Sequence, residues 1–187
     1  LQINGKITGG TNGVTFRRSV NDGIHITNTT NSWTGTTTHS EGILRFDPGT
    51  LPTDSPLIIA ASAGGTVHLR GTFNRALGTG TGEVRFGGAE ATVNNRALGL
   101  SARGGDLAVN LGGAGAEVLF NNFTAANTGT PSTINTNILV LNDAQADSKL
   151  TLANPLNLNG AGRTIQVSSN TTELTGGLRG GAFTVTK

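Results

Sequence analysis

The chain has 187 residues, enough for one domain of ordinary size or for one stretch of a longer repetitive protein. Aromatic residues make up 4% and charged residues 13%, and the complete lack of Cys excludes disulfides and thiolate metal sites. A formal charge of +2 is small, and the sequence pI of 9.7 reflects a slight Arg excess in a chain with no Cys or Tyr to titrate.

Gly accounts for 29 residues, Thr is about as abundant and Asn is not far behind, while apolar residues reach 35% and recur in short runs. Taken in chain order, apolar and polar residues alternate over 1–4, 14–17, 24–28, 43–46, 66–70, 83–86 and 107–111. The pattern resumes at 138–141, 150–152, 156–158, 164–167 and 182–186. Each run has the length and period of a short strand with one buried face. No window carries an apolar stripe at helical spacing, so little or no helix is expected. Between the runs stand Gly9-Gly10, Asn21-Asp22-Gly23, Asp47-Pro48-Gly49, Gly64-Gly65, Gly87-Gly88, Gly104-Gly105, Gly112-Gly113 and Gly180-Gly181. Such pairs make sharp corners, so each is expected to separate two strands.

Short strands between Gly corners suit a sandwich, a barrel or a solenoid. Two features favour the solenoid. Asn and Thr recur at strand ends, where stacked polar side chains satisfy corner carbonyls and amides. In addition INGKITGG (3–10) echoes LTGGLRGG (174–181), and VTF (14–16) echoes FTV (183–185), as if one period closed and another began. The expected fold is all-β, a parallel β-helix or β-solenoid over 1–187, with a β-sandwich as the alternative. Rungs of roughly 20–25 residues would give about eight rungs and a rod near 40 Å long.

The segment NSWTGTTTHSEGILRF (31–46) resembles the motif of the autotransporter-associated β-strand repeat, also called the passenger-associated transport repeat. Trp33-Thr34-Gly35 stands at the family's aromatic-Thr-Gly step, and Gly42-Ile43-Leu44 at its Gly-Thr-Leu. GKITGGTNGVTFRR (5–18) resembles the preceding β-turn-β element, although Arg17-Arg18-Ser19 departs from the usual Lys-Thr-Gly run. Residues 82–109 and 154–178 resemble stretches between such motifs. The resemblance implies a right-handed β-helix, export to a bacterial cell surface, and a stalk or adhesive role.

No residue pattern selects a catalytic, cofactor or metal site. The acidic residues Asp22, Glu41, Asp47, Asp54, Glu83, Glu90, Asp106, Glu117, Asp143, Asp147 and Glu173 include no evident pair of the kind a glycosidase or lyase needs, so no enzyme is expected. His25, His39 and His68 read as solvent-facing strand residues rather than zinc ligands. Phosphate-loop and nucleophilic-Ser motifs are missing, and GGAGAE (112–117) lacks the Asp of a calcium nonapeptide. Trp33 reads as core or turn packing rather than a sugar platform. Arg17, Arg45, Arg70, Arg85, Arg103 and Arg163 appear scattered along the sequence, whereas a nucleic-acid surface needs clustered cations with aromatics. No nucleic-acid partner and no membrane insertion are expected. Neither 1–4 nor 182–186 looks capped, so the expected partner is self, by tandem repeats or end-to-end stacking, with surface glycans second. Side loops at 124–137 or 47–56 would serve glycan contact.

Overall fold

The computed structural model describes residues 1–18, 23–60, 64–87, 97–113, 115–121, 133–136 and 138–187. These residues are all-β, with no helix among them. The strands begin with β1 (Gln2–Ile3), β2 (Val14–Arg17), β3 (Ile24–Ile26), β4 (Thr37–Phe46), β5 (Leu57–Ile59) and β6 (Gly65–Asn74). Next come β7 (Val84–Phe86), β8 (Ala97–Asn110), β9 (Val118–Asn121), β10 (Thr133–Asn135), β11 (Ile138–Leu141) and β12 (Leu150–Leu152). The last are β13 (Leu156–Asn157), β14 (Arg163–Gln166), β15 (Thr172–Leu174), β16 (Leu178–Arg179) and β17 (Phe183–Thr186). In Val84-Arg85-Phe86 and Leu150-Thr151-Leu152 the outer two side chains are buried and the middle one is half-buried, as the period-2 pattern predicts.

Every pairing between these strands is parallel, unlike the antiparallel sheets of the sandwich alternative. Three ladders result. The first runs through β1, β3, the end of β4, the start of β6, the start of β8, β11, β14 and β17. The second joins the end of β6, the end of β8, β12 and β15. The third takes β2, the start of β4, β5, β7, β10, β9, β13 and β16.

Partners in the first ladder are Ile3 with Ile26, an offset of 23, and Ile24 with Leu44, an offset of 20. Towards the middle the offset grows to 33 at Gly65 with Leu98 and to 41 at Leu98 with Leu139. It returns to 20 at Ile165 with Val185. The pairing therefore follows a return every 20 to 26 residues near both ends, with longer excursions between. Chain order also fails once: β10 lies between β7 and β9, so a later strand pairs inside an earlier gap.

Matching registers stack like residues into columns. Ile24, Leu44, Val67, Leu100 and Leu141 form one, and Phe16, His39, Ile59, Phe86, Ile134 and Phe120 another. They belong to one continuous apolar core. Phe16 meets Phe46 edge to face at 6.0 Å and Trp33 at 6.4 Å. The two echoing segments do not occupy equivalent places, since Ile3 lies in the first ladder and Leu174 in the second.

Strand ends are tied by Thr hydroxyls, as the composition suggested, and by a Ser hydroxyl. Thr27, Thr34, Ser40 and Thr175 donate to the carbonyls of Ile3, Gly10, Phe16 and Leu152, each on the neighbouring strand pass. The Gly corners are less uniform than expected. Gly104-Gly105 does not separate two strands; β8 runs through it, bending at a Gly104 φ of 76°. A Cβ at Gly104 would lie 2.7 Å from Arg45 Nη2, so no other residue fits without moving that guanidinium.

Gly35 of the Trp-Thr-Gly step has a different reason to be Gly: a Cβ there would overlap the Asn12 carbonyl. Gly35→Ala is expected to destabilise by about 1–3 kcal/mol through overpacking, whereas Gly5→Ala meets nothing within 4 Å and should be near neutral. Urea midpoints compare the two, and equal midpoints would refute this account of the motif.

A candidate functional site on the outer face of the first ladder

In the middle of the first ladder both strand faces are covered. The inward column there is Leu44, Val67, Leu100 and Leu141; the outward partners are Arg45 with His68, His68 with Ser101, and Thr66 with Gly99. Thr66, His68 and Ser101 are nonetheless buried, because the turn after β11 folds across them. Asn142, at a left-handed φ of 73°, accepts from Ala102 N through Oδ1 at 2.8 Å and donates to the Ser148 and Thr171 carbonyls, both at 3.0 Å. Asp143 N donates to Ser101 Oγ at 2.9 Å.

The centre of this arrangement is the Asp143 carboxylate. It accepts from Thr66 Oγ1, from His68 Nε2 at 2.7 Å and from Gln145 N at 2.9 Å. Burial alone would raise its pKa, but the bonds and charge from His68, with those from Thr66 and Gln145, hold it below the ordinary carboxylate range. An ionised carboxylate only accepts, so His68 Nε2 is the donor of that bond. Ser, His and Asp thus meet without forming a nucleophilic triad: Ser101 is buried, its hydroxyl taken by Asp143 N, and among the described residues it does not bond His68.

Beside the turn lies a groove of about 580 Å³ lined by Glu41, Asp143, Gln145, Gln166 and Ser168 over a floor that includes Ile43, Gly65 and Val140. Glu41 is ion-paired to Arg17 at 3.0 Å. His39 stands behind Gly65, buried in the Phe16–Ile59 column, with Nε2 donating to Gly42 O at 2.9 Å. Burial, opposed by that bond and reinforced by the charge at His68, lowers its pKa to about 4.

The three histidines therefore do not behave as expected. His39 and His68 are buried, and only His25 is partly open. Among the described residues no three of His, Asp and Glu converge to hold a metal. Trp33 is fully buried, its Nε1 donating to Thr37 Oγ1 at 2.8 Å and Ser55 Oγ at 3.1 Å, so its face is unavailable to a sugar. The arginines are not all scattered. Register gathers Arg45 and Arg70 around Asp47, at 3.6 and 3.8 Å, and brings Arg45 and Arg103 near Asp147.

The other carboxylates serve local structure. Glu83 accepts from Gly80 N at 2.6 Å, Asp106 from Lys149 N at 3.0 Å, Glu173 pairs with Lys149 at 3.4 Å and Glu117 with Arg179. Asp22 and Glu90 lie outside the described residues, as does most of the 124–137 loop; the 47–56 loop borders a second hollow of about 280 Å³. No helix of the described chain is long and apolar enough to cross a membrane. No protein-family model matches the chain, and no curated protein or solved structure is found similar to it.

Proposed function

We propose that the chain is a segment of an extracellular β-solenoid that works as a rod, stalk or filament at a bacterial cell surface and is continued end to end by further coils. The observation that carries this reading is the state of β17. Its residues pair on one side with β14, setting Val185 over Ile165 and Phe183 over Arg163. Ile165 is 1% exposed, whereas Val185 is 55% and Phe183 50% exposed. The column Leu98, Leu139, Ile165, Val185 is thus buried until its last member. A further coil laid on β17 would cover those side chains and pair the strand's free edge, whether it came from a following repeat or from another copy. Eight strands in the first ladder at about 4.8 Å spacing correspond to a rod of roughly 35–40 Å per segment.

Returns of 20 to 26 residues, hydroxyl ties between passes and the likeness of 31–46 to autotransporter-associated repeats all support the solenoid and surface reading. A glycosidase acid must stay protonated near neutrality, and Asp143 is held in the opposite direction. Sedimentation velocity and electron microscopy over a wide concentration range test the reading. The chain should grow into linear species, and Phe183→Lys with Val185→Lys should keep it monomeric; isolated short particles at the highest concentration for both would overturn it.

A glycan-binding surface role is the second reading, favoured by the amide and hydroxyl groups of Gln145, Gln166 and Ser168 along one open groove. A glycan array separates it from a pure scaffold.

A further inference from the structure

Next to the groove, sharing Ile43 and Gln145 with it, lies a small hollow of about 140 Å³ whose polar lining is His25, Arg45, His68, Arg103 and Gln145. None of its described lining residues is acidic. It exists because the outward column His25, Arg45, His68 stacks three nitrogen-bearing side chains on successive strands, and Arg103, reaching over from β8, bonds Gln145. The carboxylates sit behind these groups. Asp47 lies 3.2 Å from His25 Nε2, without making a hydrogen bond to it, and pairs with Arg45 at 3.6 Å. Asp147, fixed by Gly104 N at 2.7 Å, faces Arg103 and Arg45. Asp143 takes His68 Nε2.

Two ring nitrogens of the lining make no hydrogen bond, His25 Nε2, which has Asp47 beside it, and His68 Nδ1. His68 is fully buried, and its Nδ1 has no hydrogen-bond partner. A buried polar atom left unpaired costs free energy that native structures rarely leave uncompensated. Its ring lines a space flanked by two guanidiniums, the donor type best matched to oxyanions. A site of this size holds a few water-sized groups, and so one oxyanion group but not a whole sugar ring.

We propose that this hollow binds a single oxyanion group, held by the Arg45 and Arg103 guanidiniums and by Nδ1–H of His68, whose Nε2–H stays on Asp143. The group is the carboxylate of an acidic sugar or a tetrahedral phosphate or sulfate; these share the recognition chemistry. The site does not depend on end-to-end assembly, so it stands or falls apart from the reading above.

The test titrates the whole chain, isotopically labelled on His, with sodium phosphate, sodium sulfate and sodium glucuronate in separate arms, ionic strength being held constant with sodium chloride. Ring nitrogen resonances of His68 should move saturably in at least one arm. Saturation by glucuronate alone assigns the sugar carboxylate, and saturation by phosphate or sulfate alone assigns the tetrahedral group. Arg103→Gln should weaken the response by about tenfold or more, the loss of one charge-assisted bond, and Arg179→Gln, on an exposed strand elsewhere, should not. If Arg103→Gln does not fold, Arg45→Gln carries the same expectation. No saturable movement in any arm, or equal affinity in the folded Arg variant, would overturn the site.

Discussion

Asn154→Ala is expected to destabilise the chain by about 3–5 kcal/mol. Asn154 is fully buried. Its Oδ1 accepts from Leu111 N at 2.6 Å, and its Nδ2 donates to the carbonyls of Leu111 at 2.9 Å, Ala116 at 2.9 Å and Gly113 at 3.2 Å. One side-chain amide thus closes the backbone of a corner that turns away from its strand and has no ladder of its own. Ala would leave the Leu111 N–H and the Leu111 and Ala116 carbonyls without this partner, while Gly113 O keeps the Ala116 N–H, and each group left unpaired costs about 1–3 kcal/mol if no water reaches it. Asn154→Asp discriminates sharply, because it keeps the acceptor for Leu111 N but turns an oxygen towards three carbonyl oxygens; it should be at least as damaging as Ala. Asn4→Ala is the control, an exposed residue expected to change stability by under about 0.5 kcal/mol. Denaturant titrations give all three. A cost under about 1 kcal/mol for Asn154→Ala would show that water already serves this corner, and the amide would lose its assigned role.

What the sequence made legible follows from which signals are local. The alternating runs at 14–17, 138–141 and 150–152 became β2, β11 and β12 with those bounds, because a side chain's face is decided by its neighbours two residues away. The strands left unassigned, β5, β10, β15, β16 and the starts of β4 and β8, lack that cue: Leu57-Ile58-Ile59 is apolar throughout, and Leu178-Arg179 is too short to alternate. Place in the ladder is not local at all. Nothing within 122–132 tells that β10 will slip between β7 and β9. The candidate site was illegible for the same reason. Thr66 and His68 share a strand face, which the period shows, but Asp143 lies 75 residues beyond His68 and reaches it only because two returns have unequal length. Arg45 and Arg70 look scattered in sequence and converge on Asp47 only once successive passes are stacked. His39 misled most. It read as a solvent-facing strand residue, yet its register puts it between Phe16 and Ile59.

That placement gives His39 a measurable signature. Its pKa falls from about 6.5 to about 4, chiefly because burial penalises the imidazolium. A lowered folded-state value means that the unfolded chain takes up the proton first. The stability associated with neutral His39 is therefore complete above about pH 6.5 and is lost as pH falls towards 4, by about 3 kcal/mol in all. Asp143, with a pKa held below that of an ordinary carboxylate, loses its contribution only at more acidic pH, so the two windows separate. In His39→Leu the proton site is gone and the column from Phe16 to Ile59 becomes wholly apolar, while Gly42 O loses its imidazole donor. At pH 7.5 the variant should be less stable than the wild type by about 1 kcal/mol for that lost hydrogen bond. On acidification to pH 4.5 the wild type should lose stability that the variant keeps, so that the difference closes or changes sign. Every other titrating group is common to both chains, which makes the difference between them the quantity to measure, by urea unfolding at each pH. Parallel pH profiles for wild type and His39→Leu would mean that His39 is protonated as easily in the folded chain as in the unfolded one, and its burial in the column would be wrong.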